Sequence, residues 1–281
     1  METSRTRGGD ATEETGGIDN VELVEVAARS AIRAGRYLAD QFHRGIAARQ
    51  KTGVHEHDVV TAADGHAEAL IRQELTAAFP ASVIVGEEEG ASGTGEIRWY
   101  VDPIDGTHNF SRGIPLFCCS IGMTVRGEPV GGCVYDPIHD ELYTTDGRGV
   151  RLNGVPAPAP PARPVPMVLT DIPNAGVTND PVELSLFTAL LAKADVRRIG
   201  SSALALAYVA SGRADLAVNA DVFAWDIAAG GALVTAAGGT FVAVPDEPRT
   251  TRPGGFIAWR QGFDELGTVT LNALKNLPAL R

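Results

Sequence analysis

Apolar and polar residues alternate along the chain with two different periods. Between Val21 and Phe42 apolar residues recur every three or four positions with charges between them, which predicts an amphipathic helix. The same spacing predicts a second helix from Asp64 to Phe79, which Pro80 follows. Shorter apolar runs bounded by turn residues predict strands over residues 83–85, 99–101, 117–126, 130–135, 141–145 and 150–152.

In the second half of the chain, predicted strands alternate with predicted helices. The strands are 167–170, 196–199, 216–218, 239–244 and 256–258, and the helices are 181–193, 202–211, 226–237 and 263–274. Between the halves, Pro156 to Pro166 holds six prolines in eleven residues, typical of a stiff connector or an exposed loop with edge-strand character. We therefore predict two lobes, 21–160 and 161–281, built from stacked α/β layers.

Composition narrows the function classes. The formal net charge of −11 argues against binding nucleic acid or an anionic membrane. Residues 1–20 are polar and Gly-rich, which predicts a disordered tail and not a signal peptide. The uncharged stretch from Ile227 to Val244 contains two Gly-Gly pairs, so a buried helix and strand explain it better than a bilayer span. Three cysteines without a Cys-x-x-Cys pair are typical of reduced thiols, which predicts a cytoplasmic protein.

The segment Asp102-Pro103-Ile104-Asp105-Gly106-Thr107 follows a predicted strand and carries the most specific chemistry. Pro103 and Gly106 favour a turn, which would let Asp102 and Asp105 converge. Converging carboxylates repel unless a cation lies between them, and N–H groups after the glycine could hold an anion. Cation and anion together indicate phosphate chemistry, although a solvated acidic turn is the alternative.

Two further acidic segments strengthen the first interpretation. Glu87, Glu88 and Glu89 follow an apolar run and a glycine, and Asp226 opens an uncharged, Ala-rich run. Taken alone, the glutamates could be a solvated loop and Asp226 a helix cap.

In this order the three acidic segments resemble the inositol monophosphatase family of magnesium-dependent, lithium-sensitive phosphatases. Asp58-Val59-Val60-Thr61-Ala62-Ala63-Asp64 and Gly200-Ser201-Ser202-Ala203-Leu204 also match, and the resemblance runs from about Val21 to about Leu271. It implies a mixed α/β fold, the five-layer αβαβα sandwich of the inositol monophosphatase and fructose-1,6-bisphosphatase type. It also implies a homodimer.

The resemblance assigns metal-binding roles residue by residue. Glu87, Asp102 and the Ile104 carbonyl would hold a first Mg²⁺, which Mn²⁺ could replace. Asp102, Asp105 and Asp226 would hold a second, and a third, weaker ion near Glu87 is possible. Oxygen ligands without His or Cys suit these metals and not zinc.

The resemblance also assigns the catalytic and phosphate-binding groups. Thr107 and Asp58 would form a hydrogen-bonded pair that activates water on the Glu87 metal. The N–H groups of Gly106 and Thr107 would hold the phosphate. Asp58 could instead only cap a turn, and Asp64 is expected to be a helix cap.

The sequence identifies the substrate less precisely than it identifies the metal ligands. The resemblance places substrate contacts at Asp105, Gly106, Thr107, Gly200, Ser201, Ser202, Asn219 and Asp226. Asn219 stands where inositol-specific relatives have a glutamate. Its amide can still form a hydrogen bond to a substrate hydroxyl, but it carries no charge. The best prediction is a phosphoric monoester hydrolase acting on a small phosphorylated polyol such as myo-inositol-1-phosphate. Histidinol phosphate, fructose-1,6-bisphosphate and 3′-phosphoadenosine nucleotides stay open, with a non-catalytic binding protein as the remote alternative.

Overall fold

The computed structural model describes residues 18–44, 48–50, 59–158, 163–174, 180–246 and 249–280. In these residues the helices are α1 (Asn20–Arg44), α2 (Ala62–Ala78), α3 (Thr107–Arg112), α4 (Pro181–Leu191), α5 (Ser202–Ala210), α6 (Ala224–Ala236) and α7 (Asp264–Leu274). A short 3₁₀ helix, Pro278–Leu280, follows α7.

The strands form three sheets. Their bounds are β1 (Ala48–Gln50), β2 (Val59–Thr61), β3 (Ser82–Gly86), β4 (Gly90–Gly93), β5 (Ile97–Asp105), β6 (Cys118–Val125), β7 (Glu128–Asp136), β8 (Glu141–Thr145), β9 (Arg151–Leu152), β10 (Val155–Pro156), β11 (Met167–Leu169), β12 (Asp195–Arg197), β13 (Leu216–Val222), β14 (Thr240–Val244) and β15 (Gly254–Trp259). The sheet orders are β1-β2, β10-β9-β8-β7-β6-β5-β3-β4 and β12-β11-β13-β15-β14. Parallel pairing occurs between β3 and β5 and on both sides of β11.

The two large sheets and the helices make five layers. Helices α1 and α2 cover one face of the eight-stranded sheet, and α5 and α6 lie between the two sheets. Helices α4 and α7 cover the far face of the five-stranded sheet. In β15 the layers follow from two-residue alternation, because Phe256 faces α5 and α6 whereas Ile257 faces the outer helices. The predicted αβαβα sandwich is confirmed.

Most predicted elements occur, with shifted ends. The structure adds β1, β2, β4, which consists of exposed glycine and small residues, and β10, which ends at the first residue of the Pro-rich segment. Strand β5 runs on to Asp105, and α6 begins at Ala224, so Asp226 lies inside its first turn. In sequence, the strands of the two large sheets lie before and after the Pro-rich segment, which β10 enters only at Pro156. The lobe boundaries stay a prediction, and residues 1–17 of the predicted tail lie outside the described residues.

The uncharged stretch from Ile227 to Val244 forms most of α6 and all of β14, as predicted. In the part of the chain that the structure describes, no helix combines the length and apolarity that a bilayer crossing requires.

Helix α6 approaches the eight-stranded sheet closely because glycines face it. A Cβ on Gly122 would lie 2.5 Å from the Cβ of Ala228, and a Cβ on Gly132 would lie 2.7 Å from the Cα of Ala229. Gly230, on α6 itself, would meet Leu206 of α5 at 2.4 Å. The height of α6 above the sheet, and with it the position of Asp226, therefore depends on the absence of these side chains.

We expect Gly122→Ala to lower the free energy of unfolding by about 1–3 kcal/mol, because the added methyl group overpacks the contact with α6. Gly65→Ala is the matched control, since a Cβ at this position of α2 has nothing within 4 Å. It should raise stability by about 0.5–1 kcal/mol through helix propensity. Denaturant unfolding of the three proteins measures both changes, and equal stability of Gly122→Ala and the parent would contradict the close packing.

Candidate active site

The acidic motif lies where β5 leaves the regular ladder. Asp102 pairs with Ser120 and Asp105 with Cys118, and the register shifts between the two pairs. The bulge at Pro103 and Ile104 changes the direction of the strand end. Gly106 then adopts a φ of 98°, and a Cβ there would lie 2.8 Å from the Leu116 carbonyl oxygen. The turn therefore lies at Gly106, whereas Pro103 belongs to the bulged end of β5, and α3 begins immediately after the turn.

Three of the predicted acids meet at this turn. Asp102, Asp105 and Asp226 each offer a carboxylate oxygen, and these oxygens lie within 4.8 Å of one another. Asp102 and Asp105 are buried, whereas Asp226 is partly exposed. Glu87 lies in the turn between β3 and β4 and lines the same cleft. The structure thus brings together four acids that are as much as 139 residues apart in sequence (226 − 87).

Burial and mutual repulsion oppose ionisation of this cluster. Burial raises the pKa of Asp102 well above its ordinary value, and the charges of Glu87 and Asp105 raise it further. The pKa of Asp226 is also raised well above the usual range, first by burial and then by Glu87. For Asp105, burial raises the pKa to about 6, against hydrogen bonds that lower it.

The donor set fits a hard divalent cation. In the described residues, the Oδ1 atom of Asp102 is buried without a hydrogen-bond partner. A buried carboxylate oxygen without a donor is costly, and a cation between the carboxylates would remove both this cost and their repulsion. All the side-chain atoms of the cluster that could bind a metal are carboxylate oxygens, which suits magnesium or manganese.

Two of the acids are also held by helix N-termini. Asp105 accepts hydrogen bonds from the Ser201 hydroxyl, from the Ala203 N–H at 2.7 Å and from the Ser202 N–H at 3.2 Å, all at the start of α5. The Oδ2 atom of Asp226 accepts the Phe223 N–H at 2.7 Å. The capping role considered for Asp226 and its place in the acidic cluster are therefore compatible.

The predicted water-activating pair is only half described. The Thr107 hydroxyl donates to the Ile104 carbonyl oxygen at 2.9 Å, and both residues line the cleft. Asp58 lies outside the described residues. Asp64 lies in the first turn of α2, where it is buried, and its charge helps to raise the pKa of Asp102. Its expected role as a helix cap stays a prediction. The buried face of α2 thus includes an acid, Asp64, that acts electrostatically on the site.

The loop at Gly200 forms the opposite wall of the cleft. Gly200 adopts a φ of 65°, and the amide of Asn109 donates to the carbonyl oxygens of Leu116 and Ile199, each at 2.7 Å. Ser201 and Ser202 start α5 here and line the cleft. Asn109 therefore ties this loop to α3 and the acidic motif.

The amide of Asn219 belongs to a hydrogen-bonded network. Its Nδ2 atom donates to the Ser202 hydroxyl at 3.0 Å and to Oδ2 of Asp171 at 3.3 Å, and its oxygen accepts the Asp171 N–H. Asp171 also accepts the Gly200 N–H at 3.1 Å, and burial is the first cause that raises its pKa. A polar cleft of about 290 Å³ lies between this network and the acids.

Sequence reasoning did not single out Asp171 or Asn109. Asp171 comes two residues after β11, a strand paired in parallel on both sides. The carboxyl end of a parallel strand is where ligands bind in α/β sheets, so this position was a usable signal. Asn109 had no such signal, because its role depends on the distant Ile199 carbonyl.

Comparison with known proteins gives a consistent result. The sequence model of the inositol monophosphatase family matches residues 19–274. The chain is 40% identical over 186 residues to a Nus factor SuhB of Xylella fastidiosa, covering 65% of this chain and 68% of the relative. It is 40% identical over 223 residues to an inositol-1-monophosphatase of Rhizobium meliloti, covering 77% and 84%.

The fold has close solved counterparts. The crystal structure of the extragenic suppressor protein suhB of Bartonella henselae superposes with a TM-score of 0.78 at 31% identity, covering 91% of this chain and 99% of the other. The family match extends over both large sheets and all the acidic segments. The chain belongs to the inositol monophosphatase family.

Proposed function

We propose that this protein is a metal-dependent phosphomonoesterase that hydrolyses a small polyol or cyclitol phosphate, with myo-inositol-1-phosphate as the best candidate. The observation that supports it most is the convergence of Asp102, Asp105 and Asp226, whose oxygens lie within 4.8 Å, beside a polar cleft. The pKa of the Asp102 carboxyl is raised, and its Oδ1 atom is buried without a hydrogen-bond donor. A bound cation would stabilise such a carboxylate.

The ligand sets are those that the sequence predicts. Glu87, Asp102 and the Ile104 carbonyl would hold one Mg²⁺ or Mn²⁺, and Asp102, Asp105 and Asp226 another. When bound, such ions lower the pKa of an attacking water and stabilise the leaving oxygen. Because the cleft is acidic, the ions would also reverse its local charge and allow a phosphate dianion to enter.

The protein's own groups would orient the water and the phosphate. We keep the pair of Thr107 and Asp58 as the groups that would activate the water, as the resemblance to the family implies. Asp58 lies outside the described residues, and Asp64, which is buried and helps to raise the pKa of Asp102, is the alternative acid. The leading N–H groups of α3, at Gly106 and Thr107, have no acceptors within the helix and would donate to phosphate oxygens.

The far wall of the cleft would bind the hydroxyl groups of the substrate. Ser202, Asn219 and Asp171 form one hydrogen-bonded network there, so the carboxylate of Asp171 can accept a hydroxyl while Asn219 stays neutral. A cleft of about 290 Å³ suits a ring of cyclitol or sugar size. The homodimer and the cytoplasmic location stay predictions.

The first test is phosphate release from a panel of inositol, sugar, histidinol and nucleotide monoesters with and without magnesium. We expect turnover that requires the metal and is fastest with inositol monophosphate. Asp102→Asn should lower turnover by at least about a thousandfold, because metal stabilisation supplies several kcal/mol and each 1.36 kcal/mol is tenfold.

Asp180→Asn is the matched control, because it also removes one negative charge but only at the exposed cap of α4, where asparagine caps equally well. No release from any ester would contradict the proposal. It would favour a non-catalytic role, the second candidate, to which the name Nus factor SuhB of several relatives points.

The second test is the pH dependence of stability without metal. Burial raises the pKa of Asp105 from its ordinary 3.8 to about 6, and the pKa values of Asp102 and Asp226 are also raised well above 3.8. These carboxyls therefore favour the folded state fully below about pH 4 and cease to do so as the pH rises through 6 and above.

In EDTA we expect the free energy of unfolding to fall over this range by up to about 1.4 kcal/mol per pH unit for each carboxyl, and the melting temperature to fall with it. Magnesium should restore the stability, and more so at higher pH. Asp102→Asn should weaken the decline. A melting temperature in EDTA that rises steadily from pH 4 to 8 would refute the repulsive cluster.

The third test separates Asp58 from Asp64. We expect Asp58→Asn to lower kcat by about 10²–10⁴-fold at saturating magnesium, the range for a lost general base, with Mn²⁺ affinity nearly unchanged. Asp64→Asn is the paired variant and should have the smaller effect on kcat. If Asp64→Asn causes the larger loss of kcat, the assignment to Asp58 is wrong.

A further inference from the structure

A fully buried carboxylate lies behind the turn that carries Glu87, and the proposed chemistry does not use it. Glu68, in α2, is 0% exposed. Its Oε2 atom accepts the Glu88 N–H at 2.8 Å, and its Oε1 atom accepts the Glu89 N–H at 3.1 Å. One buried side chain thus holds two consecutive backbone groups immediately after Glu87.

Strand β5 also holds this turn. The Glu87 N–H donates to the Val101 carbonyl oxygen at 3.1 Å, immediately before Asp102 in β5. Three successive N–H groups, of residues 87, 88 and 89, are therefore anchored on two different elements. With the backbone held on both sides, Glu87 has one orientation of its Cα–Cβ bond, and it lines the cleft.

Arg72 compensates the charge of Glu68. Its Nε atom donates to Glu68 Oε1 at 2.7 Å, and its two terminal nitrogens donate to the Ser92 hydroxyl and to the Gly90 carbonyl oxygen. The guanidinium thus neutralises a buried acid that would otherwise add to the repulsion in the neighbouring cluster. It also ties the far end of the same turn to α2.

Gly86 leaves the space that Glu68 occupies. A Cβ on Gly86 would lie 2.2 Å from Oε1 and 2.4 Å from Cδ of Glu68. The glycine is needed here for close approach, since no positive φ is recorded for it.

We propose that Glu68, neutralised by Arg72, is a positioning residue that sets the place of Glu87 and thereby the affinity of the site for its divalent cation. The inference rests on the proposed function, because it takes Glu87 as a ligand. Groups that orient a metal ligand without touching the metal typically change metal affinity by 10–100-fold.

The test is Mn²⁺ affinity of the purified protein, measured by titration calorimetry and independent of turnover. We expect Glu68→Gln to raise the dissociation constant for Mn²⁺ by about 10–100-fold, because an amide presents an N–H₂ group to one of the backbone donors. Gly86→Ala should weaken it similarly with Glu68 intact, since its methyl group displaces the carboxylate. This second variant keeps the test decisive if Glu68→Gln fails to fold.

Asp215→Asn is the matched control. Asp215 is a buried acid paired with Arg260, and it accepts the Met167 N–H at 2.7 Å in the five-stranded sheet, on a different element from the acids. It should lower the melting temperature without changing Mn²⁺ affinity. If Glu68→Gln and Gly86→Ala lower only the melting temperature and bind Mn²⁺ within twofold of the parent, the positioning role is wrong. If the parent itself binds no Mn²⁺, the proposed function fails instead.

Discussion

The repulsion among carboxylates gathered in one partly buried cleft is the constraint on which the rest of this structure depends. Asp102, Asp105 and Asp226 share a volume in which their oxygens lie within 4.8 Å, and burial alone raises the pKa of each. The protein offsets the cost with backbone N–H groups at the starts of α5 and α6. What these donors leave uncompensated, above all the Oδ1 atom of Asp102, is what a divalent cation would stabilise.

The layered fold makes this gathering possible. Helices α5 and α6 lie between two sheets, and their N-termini point to the end of β5, so each delivers partial positive charge to an acid. Gly122 and Gly132 let α6 lie low on the eight-stranded sheet. Together with Gly230 of the uncharged run, these glycines decide how near Asp226 comes to Asp102.

Much of the site could be predicted from the sequence, partly from its residues and partly from its resemblance to a known family. The strand–turn–helix signals around Asp102, the acids at Glu87 and Asp226, and the Ser201–Ser202 start of α5 all lie at the cleft. Residues whose roles depend on distant partners could not be predicted. Asp171 acts with Asn219, Asn109 holds a loop 90 residues away, and Glu68 supports Glu87 from α2. Nothing local distinguishes Glu68 from an ordinary helix acid, because its burial exists only once α2 packs on the sheet.

The sequence by itself determined most of the elements and the positions of the acids, because periodicity, turn residues and charge are local properties. The αβαβα class came from the resemblance of its motifs to a known family. Only the tertiary structure decided the distances between those acids, which of their oxygens find donors, and that Asn219 joins Asp171 in one network. The physical reason is that pairwise electrostatics and hydrogen bonds depend on separation and burial. Both are set by how α2, α5 and α6 pack against β5 and β6, and no single segment of the chain carries that information.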